Sequence, residues 1–172
     1  MTRILTAYFS VSGQNYWNGQ VVDLPVGNTK KAAEKISALI GSELYEIRPV
    51  QTYAKDYTKR TEEAKQELKS GVRPALAGNL PDMDDFDVIF IGYPIWWGMM
   101  PMPVMTFLEG IDTAKKTVCP FCTHEGSGLG NSMRWVKKAC PKADVRPGLP
   151  ITGHLTDDSD EVIERWIGEI TK

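Results

Sequence analysis

Three short segments of this 172-residue chain hold side chains better suited to binding than to packing. The first is Ser10-Val11-Ser12-Gly13, taken with Asn28-Thr29. Hydroxyls, a glycine and a helix start can surround a phosphate with donors and the positive end of a helix dipole. The second is Pro94-Ile95-Trp96-Trp97-Gly98, two flat apolar side chains on a turn. The third is Thr123-His124-Glu125-Gly126-Ser127-Gly128, where small residues let a ligand approach the backbone. Each has a plainer reading alone: an N-cap turn, a pair of core tryptophans, a surface turn. Together they fit one ligand with a phosphate at one end and a planar polar ring at the other.

Several other chemistries are disfavoured. The first loop has no Lys or Arg before Lys30, and neither G-x-x-x-x-G-K-S/T nor G-x-G-x-x-G occurs, against a nucleoside triphosphate or dinucleotide site. Cys119-Pro120-Phe121-Cys122 has the spacing of a redox pair. On a strand, however, residues three apart point to opposite faces, and two structural thiols are the expectation. With His124 and His154 the only histidines, a zinc site is not expected.

The segments lie at the ends of elements that alternate regularly. Apolar runs at Ile4 to Phe9, Leu44 to Ile47, Val88 to Ile91 and Thr117 to Phe121, with a shorter one around Asp144 to Leu149, predict five strands. The runs are continuous, as strands covered on both faces require. Helices are predicted from Asn28 to Ile40, with Gly41 as the stop, and from about Ala54 to Ser70, with a thin stripe of Tyr57, Ala64 and Leu68. Three more follow: one begun by Pro101 and Pro103, one from about Leu129 to Ala139, and one after Ser159 or Asp160. Strand-helix repetition with right-handed crossovers makes an α/β fold with a parallel sheet between helices. In the order 2-1-3-4-5, strands one, three and four are neighbours, so the three loops open onto one crevice at the switch point. No repeat or linker appears, and residues 1–172 read as a single domain.

The bulk numbers agree. A hydrophobic content of 42% is that of a globular protein, and no apolar run spans a bilayer. Net charge is −2, which speaks against nucleic-acid binding and leaves no large field to steer a charged partner. No membrane association and a cytoplasmic location are the expectations, because the N-terminus lacks a signal-peptide pattern.

Two motifs, Tyr-Pro-Ile-Trp-Trp-Gly at 93–98 and Cys-Thr-His-Glu-Gly-Ser-Gly at 122–128, give the chain a resemblance to the flavodoxin-like proteins. The resemblance extends over essentially the whole chain. It implies a flavodoxin-like three-layer sandwich with a five-stranded parallel sheet in the order 2-1-3-4-5, and noncovalent FMN. By position, Ser10, Ser12, Gly13, Asn28 and Thr29 resemble the phosphate ligands. Pro94 to Gly98 and Thr123 to Gly128 resemble the loops that hold the ring, with Trp97 and Gly98 the expected contact pair. The peptide before Gly98 is expected to turn toward flavin N5, and Glu125 is expected to lower the potential if it faces the ring. The implied role is electron transfer, the alternative an FMN-dependent NAD(P)H oxidoreductase. Partners would be redox proteins or small-molecule acceptors, and the chain a monomer or dimer.

Two departures stand out. The usual compact S-x-T-G-N-T loop is interrupted here by Gln14 to Gly27, whose Tyr16 and Trp17 either fold over the site or pack on the surface, the surface being the expectation. Typical relatives are strongly acidic, while this chain is nearly neutral.

Overall fold

The apolar runs form the strands of a parallel sheet in a computed structural model that describes residues 1–172. In chain order the elements are β1 (Ile4–Tyr8), β2 (Gly13–Trp17), β3 (Gln20–Leu24), α1 (Asn28–Ile40), β4 (Glu43–Glu46) and α2 (Tyr57–Ser70). Then come β5 (Val88–Pro94), α3 (Met102–Gly110), β6 (Thr117–His124), α4 (Ser132–Ala139), β7 (Asp144–Val145), β8 (Leu149–Thr152) and α5 (Asp160–Ile170). A short 3-10 segment, Gly153–Asp158, links β8 to α5.

The sheet order is β4-β1-β5-β6-β7, with β8 also paired to β6, and every pairing is parallel. This is the expected 2-1-3-4-5 topology with one correction: the fifth strand is two pieces. Arg146-Pro147-Gly148 interrupts it, and β7 pairs with the start of β6 while β8 pairs with its end. Pro150 is tolerated in β8 because an outer strand leaves one row of amides unpaired.

Two cores cover the two faces of the sheet. One joins Ala32, Ala33 and Ile36 of α1 to Ile163, Trp166 and Ile170 of α5. The other joins Val104, Met105, Phe107 and Leu108 of α3 to Val136 of α4. Cys119 belongs to the first core and Cys122 to the second, so strand alternation separates the two thiols. All three cysteines are free and buried, and burial raises the Cys119 and Cys122 thiols to about 12. A redox pair is thereby excluded in this conformation.

Two elements differ from expectation in ways that reach the binding crevice. The interruption Gln14 to Gly27 is largely an antiparallel hairpin, β2 with β3, in which Trp17 pairs with Gln20 across Asn18-Gly19. Both turn residues have positive φ, 45° and 90°, as a two-residue hairpin requires. In α2 the buried residues are Ala64 and the charged Arg60, while Tyr57 and Leu68 are only partly covered.

Candidate functional site

Register brings the crevice together. Pro94 at the end of β5 is the partner of Thr123 in β6, and the Ile95 amide continues the ladder by donating to the Thr123 carbonyl at 3.0 Å. From the other side, the Thr29 and Thr123 hydroxyls, both buried, lie 2.7 Å apart. A cleft of about 210 Å³ opens here, lined by residues of all three segments.

The first segment contributes Ser10, Asn28 and Thr29 to the cleft. Ser10 Oγ accepts from the Lys30 amide at 3.1 Å and so satisfies one amide of the first turn of α1. No acidic residue occupies that turn and Gly27 supplies no side-chain cap, so the helix presents its positive end. Gly27 is required by close approach: a Cβ there would lie 2.2 Å from Ser10 Oγ and 2.4 Å from the Val11 carbonyl. Asn28 Oδ1 is buried without a hydrogen-bond partner, a vacancy that a ligand donor would fill. Ser12 and Gly13 are placed elsewhere: Ser12 is exposed, and Gly13 starts the hairpin. At Ser12 the chain turns into the hairpin, so Ser12 borders a neighbouring groove with Ser10 while Asn15 and Tyr16 return to the cleft.

The second segment contributes Pro94, Ile95 and Trp96. Trp96 combines wall and core. Its ring meets Phe9 and Tyr53 edge-on, with centroids 5.4 and 5.1 Å away, which holds it in place. Trp97 and Gly98 do not line the cleft. They form a tight turn closed by Trp96 and Met99, each of whose amides donates to the other's carbonyl. Both have positive φ, 56° and 72°, an uncommon conformation for tryptophan. Trp97 swings out to 52% exposure and lines an adjoining recess of about 330 Å³ with Tyr57, Arg60, Thr61, Ala64, Ile95 and Trp96. Of the expected pair, Trp97 thus borders the adjoining recess, and Trp96 is the tryptophan in the lining of the cleft. The Gly98 carbonyl is itself taken by the Asn131 amide at 2.7 Å.

The third segment contributes Thr123, His124, Glu125 and Ser127, while Gly126 and Gly128 stand outside the lining. Their positive φ values, 118° and 62°, turn the loop instead. His124 Nδ1 accepts from the Gly126 amide at 2.9 Å, which puts the ring hydrogen of the neutral tautomer on Nε2. Burial lowers the His124 pKa, with the Glu125 charge opposing, and the neutral ring is favoured. Glu125 is already engaged. Its oxygens accept from the His154 amide at 2.8 Å, from the Asn18 amide at 3.3 Å, and bond His154 Nδ1 at 2.6 Å.

Residues that the sequence did not mark complete the walls: Val11, Asn15, Tyr16, Tyr57, Arg60 and Gly153. The hairpin explains most of them. On one side Gln14 Oε1 accepts from the Tyr57 amide at 2.8 Å, the Gln14 carbonyl accepts from Arg60 Nη2, and Tyr16 stacks on Tyr57 at 6.3 Å. On the other side Asn18 reaches Glu125, and the Trp17 and His154 rings lie 6.3 Å apart. The hairpin therefore bridges the cleft from α2 to the β6 loop, and Tyr16 stands in the wall rather than merely on the surface. The Asn18-Gly19 pair, flanked by Gln14 to Trp17 and Gln20 to Leu24, was the signal that could have revealed this.

These donors suit FMN. The open start of α1 with Ser10 and Thr29 fits a phosphate, the unpartnered Asn28 oxygen fits a ribityl hydroxyl, and Trp96 with Ile95 fits a flat ring.

Known proteins of the same shape place this arrangement in a family. No match is found among curated proteins. A candidate flavoprotein from Bacteroides eggerthii shares 34% identity over 100% of this chain and 99% of its own, with a TM-score of 0.80. A flavoprotein from Lactobacillus acidophilus, solved in complex with FMN, shares 24% identity over 97% of this chain and 99% of its own, at a TM-score of 0.70. Oxidised flavodoxin 2 from Bacillus cereus shares 18% identity over 98% and 99% of the two chains, at a TM-score of 0.55. The flavodoxin family model matches residues 3–170, and the chain accordingly belongs to the flavodoxin family.

Proposed function

We propose that this protein binds FMN in the cleft between β1, β5 and β6 and transfers electrons through it. The observation that carries the reading is the pairing, within one cleft, of an uncapped helix start flanked by hydroxyls and a tryptophan wall. Bound FMN would supply reversible uptake of one or two electrons. The protein's own part is binding and orientation. Ser10, Asn28, Thr29 and the first turn of α1 hold the phosphate end, and Trp96 and Ile95 form the apolar wall. His124 offers an Nε2–H donor to the cleft. The β2–β3 hairpin adds Asn15 and Tyr16 to the wall. Partners in this reading are redox proteins or small-molecule acceptors.

A second reading, an FMN-dependent oxidoreductase reducing small acceptors such as quinones with NAD(P)H, is favoured by the recess beside Trp96. At about 330 Å³, with Ala64, Ile95, Trp96 and Trp97 in its lining, it has the size and apolar character of a small-ligand site. The test is reconstitution of the protein with FMN, followed by NAD(P)H oxidation with a quinone acceptor. The electron-transfer reading expects tight, stoichiometric FMN binding and no sustained turnover. Multiple turnovers would establish the oxidoreductase, and failure to bind FMN would overturn both.

A further inference from the structure

Arg60 is the one charged residue in the middle of α2 that the fold buries, at 3% exposure. A buried cation is costly unless something compensates it. Here the compensation from the protein is partial. Arg60 donates to the Gln14 and Ala54 carbonyls, with a longer contact to that of Lys55, and no carboxylate pairs with it. Its guanidinium carbon lies 5.7 Å from the Tyr57 ring centroid. It is the only Lys or Arg in the lining of the cleft, and it also lines the recess with Ile95, Trp96 and Trp97. Ser10, Asn28 and Thr29, which mark the phosphate end, do not line that recess. Arg60 thus stands between the two ends of the site: it shares a groove with Ser10 and Ser12 on one side, and on the other it borders the apolar recess, where negative charge arises only when a flavin ring is reduced.

We propose that Arg60 is a cofactor-binding residue whose charge stabilises the anionic reduced ring of FMN in preference to the neutral oxidised ring. The inference rests on the FMN reading above. In the step concerned the ring takes two electrons from the reductant and one proton from water, and keeps one negative charge. Arg60 forms no bond and transfers no proton. Glu125 also lines the cleft, and its carboxylate is of opposite sign to Arg60.

The experiment compares the full-length protein with Arg60→Gln, Arg60→Lys and Thr61→Glu, the last adding a carboxylate to the wall of the same recess. FMN and riboflavin affinities are read from quenching of flavin fluorescence, and the two-electron potential from dithionite titration against a reference dye. Arg60→Gln should bind oxidised FMN within about threefold of the parent. Its affinity for reduced relative to oxidised FMN should fall about tenfold, which is about 30 mV toward lower potential for a two-electron couple. Thr61→Glu should shift the same way, and Arg60→Lys should restore most of the potential. If Arg60→Gln does not fold, the other two variants decide the matter. A parent-like potential in Arg60→Gln, or in Thr61→Glu where Arg60→Gln does not fold, would overturn the proposal, as would equal shifts in Arg60→Gln and Arg60→Lys. A loss of FMN affinity with riboflavin unaffected would also overturn it, by assigning Arg60 to the phosphate. If the parent protein binds no flavin, the cofactor reading itself fails, an outcome distinct from all of these.

Discussion

The indole Nε1 of Trp97 donates to the Thr61 carbonyl in α2 at 2.8 Å, and this bond pins a tryptophan whose φ is +56°. Lys65 adds its ammonium 5.1 Å from the Trp97 ring centroid. The turn after β5 is thereby tied to the helix that carries Arg60. A left-handed non-glycine residue costs on the order of 1 kcal/mol, and a lost hydrogen bond about as much. Trp97→Phe keeps the strain and loses the bond, so it should destabilise by about 1 kcal/mol. Trp97→Gly loses both and should stay closer to the parent. Urea denaturation checks the order, and a Gly variant clearly less stable than the Phe variant would contradict it.

Gly27 tests whether close approach shapes the first loop. Its φ of −66° is open to any residue, so the cost of Gly27→Ala comes from the contacts of Cβ with Ser10 and Val11 alone. A destabilisation of about 1–3 kcal/mol is expected, with a lower FMN affinity because Ser10 must move. Gly168 in α5 meets nothing within 4 Å, so Gly168→Ala should stabilise by about 0.5–1 kcal/mol and leave binding alone. Calorimetry and a flavin titration separate the two.

The hairpin's contribution can be isolated at its tip. Gly19 has φ +90° and open space around it, so Gly19→Val strains the turn without a clash, at a cost of order 1–3 kcal/mol. The cost should fall on the hairpin alone, because the hairpin is a separate two-stranded sheet. Hydrogen exchange should rise over β2 and β3, and FMN should leave faster, with global stability nearly unchanged. Equal exchange in parent and variant would remove the hairpin from the account of binding.

His124 should make the stability of the flavin-free protein depend on pH. Burial holds its folded pKa below the ordinary value of about 6.5 that it regains on unfolding. As pH falls through about 6.5, the unfolded chain takes up the proton first, and stability drops until the folded pKa is passed. Above that window the contribution is fully present. His124→Asn, whose Oδ1 takes the place of Nδ1 as acceptor for the Gly126 amide, should therefore lose less melting temperature between pH 7.5 and 5.5 than the parent does.

The alternation of strands and helices follows from local patterns, because continuous apolar runs and helix stops are written in neighbouring residues; the order 2-1-3-4-5, and with it the meeting of three loops, came from the doubly wound fold type and the resemblance to flavodoxin-like proteins. That Ser10, Asn28, Thr29, Trp96, Thr123 and His124 line one cleft was legible for the same reason: each sits near the end of a strand or the start of a helix. The hairpin was legible in principle, since Asn18-Gly19 carries its own turn signal. Where that hairpin docks was not, because its contacts with Tyr57 and Glu125 join residues 43 and 107 positions apart. The same limit hid Arg60. In sequence it is one more polar residue on a polar helix, and only the arrival of the Gln14 carbonyl and the Trp96 wall makes it a buried cation at the cleft. Sequence by itself determined the alternation of the main strands and helices, because each is a local pattern. Tertiary structure alone decided which side chains share the cleft, because burial and charge at a site depend on what other segments bring to it.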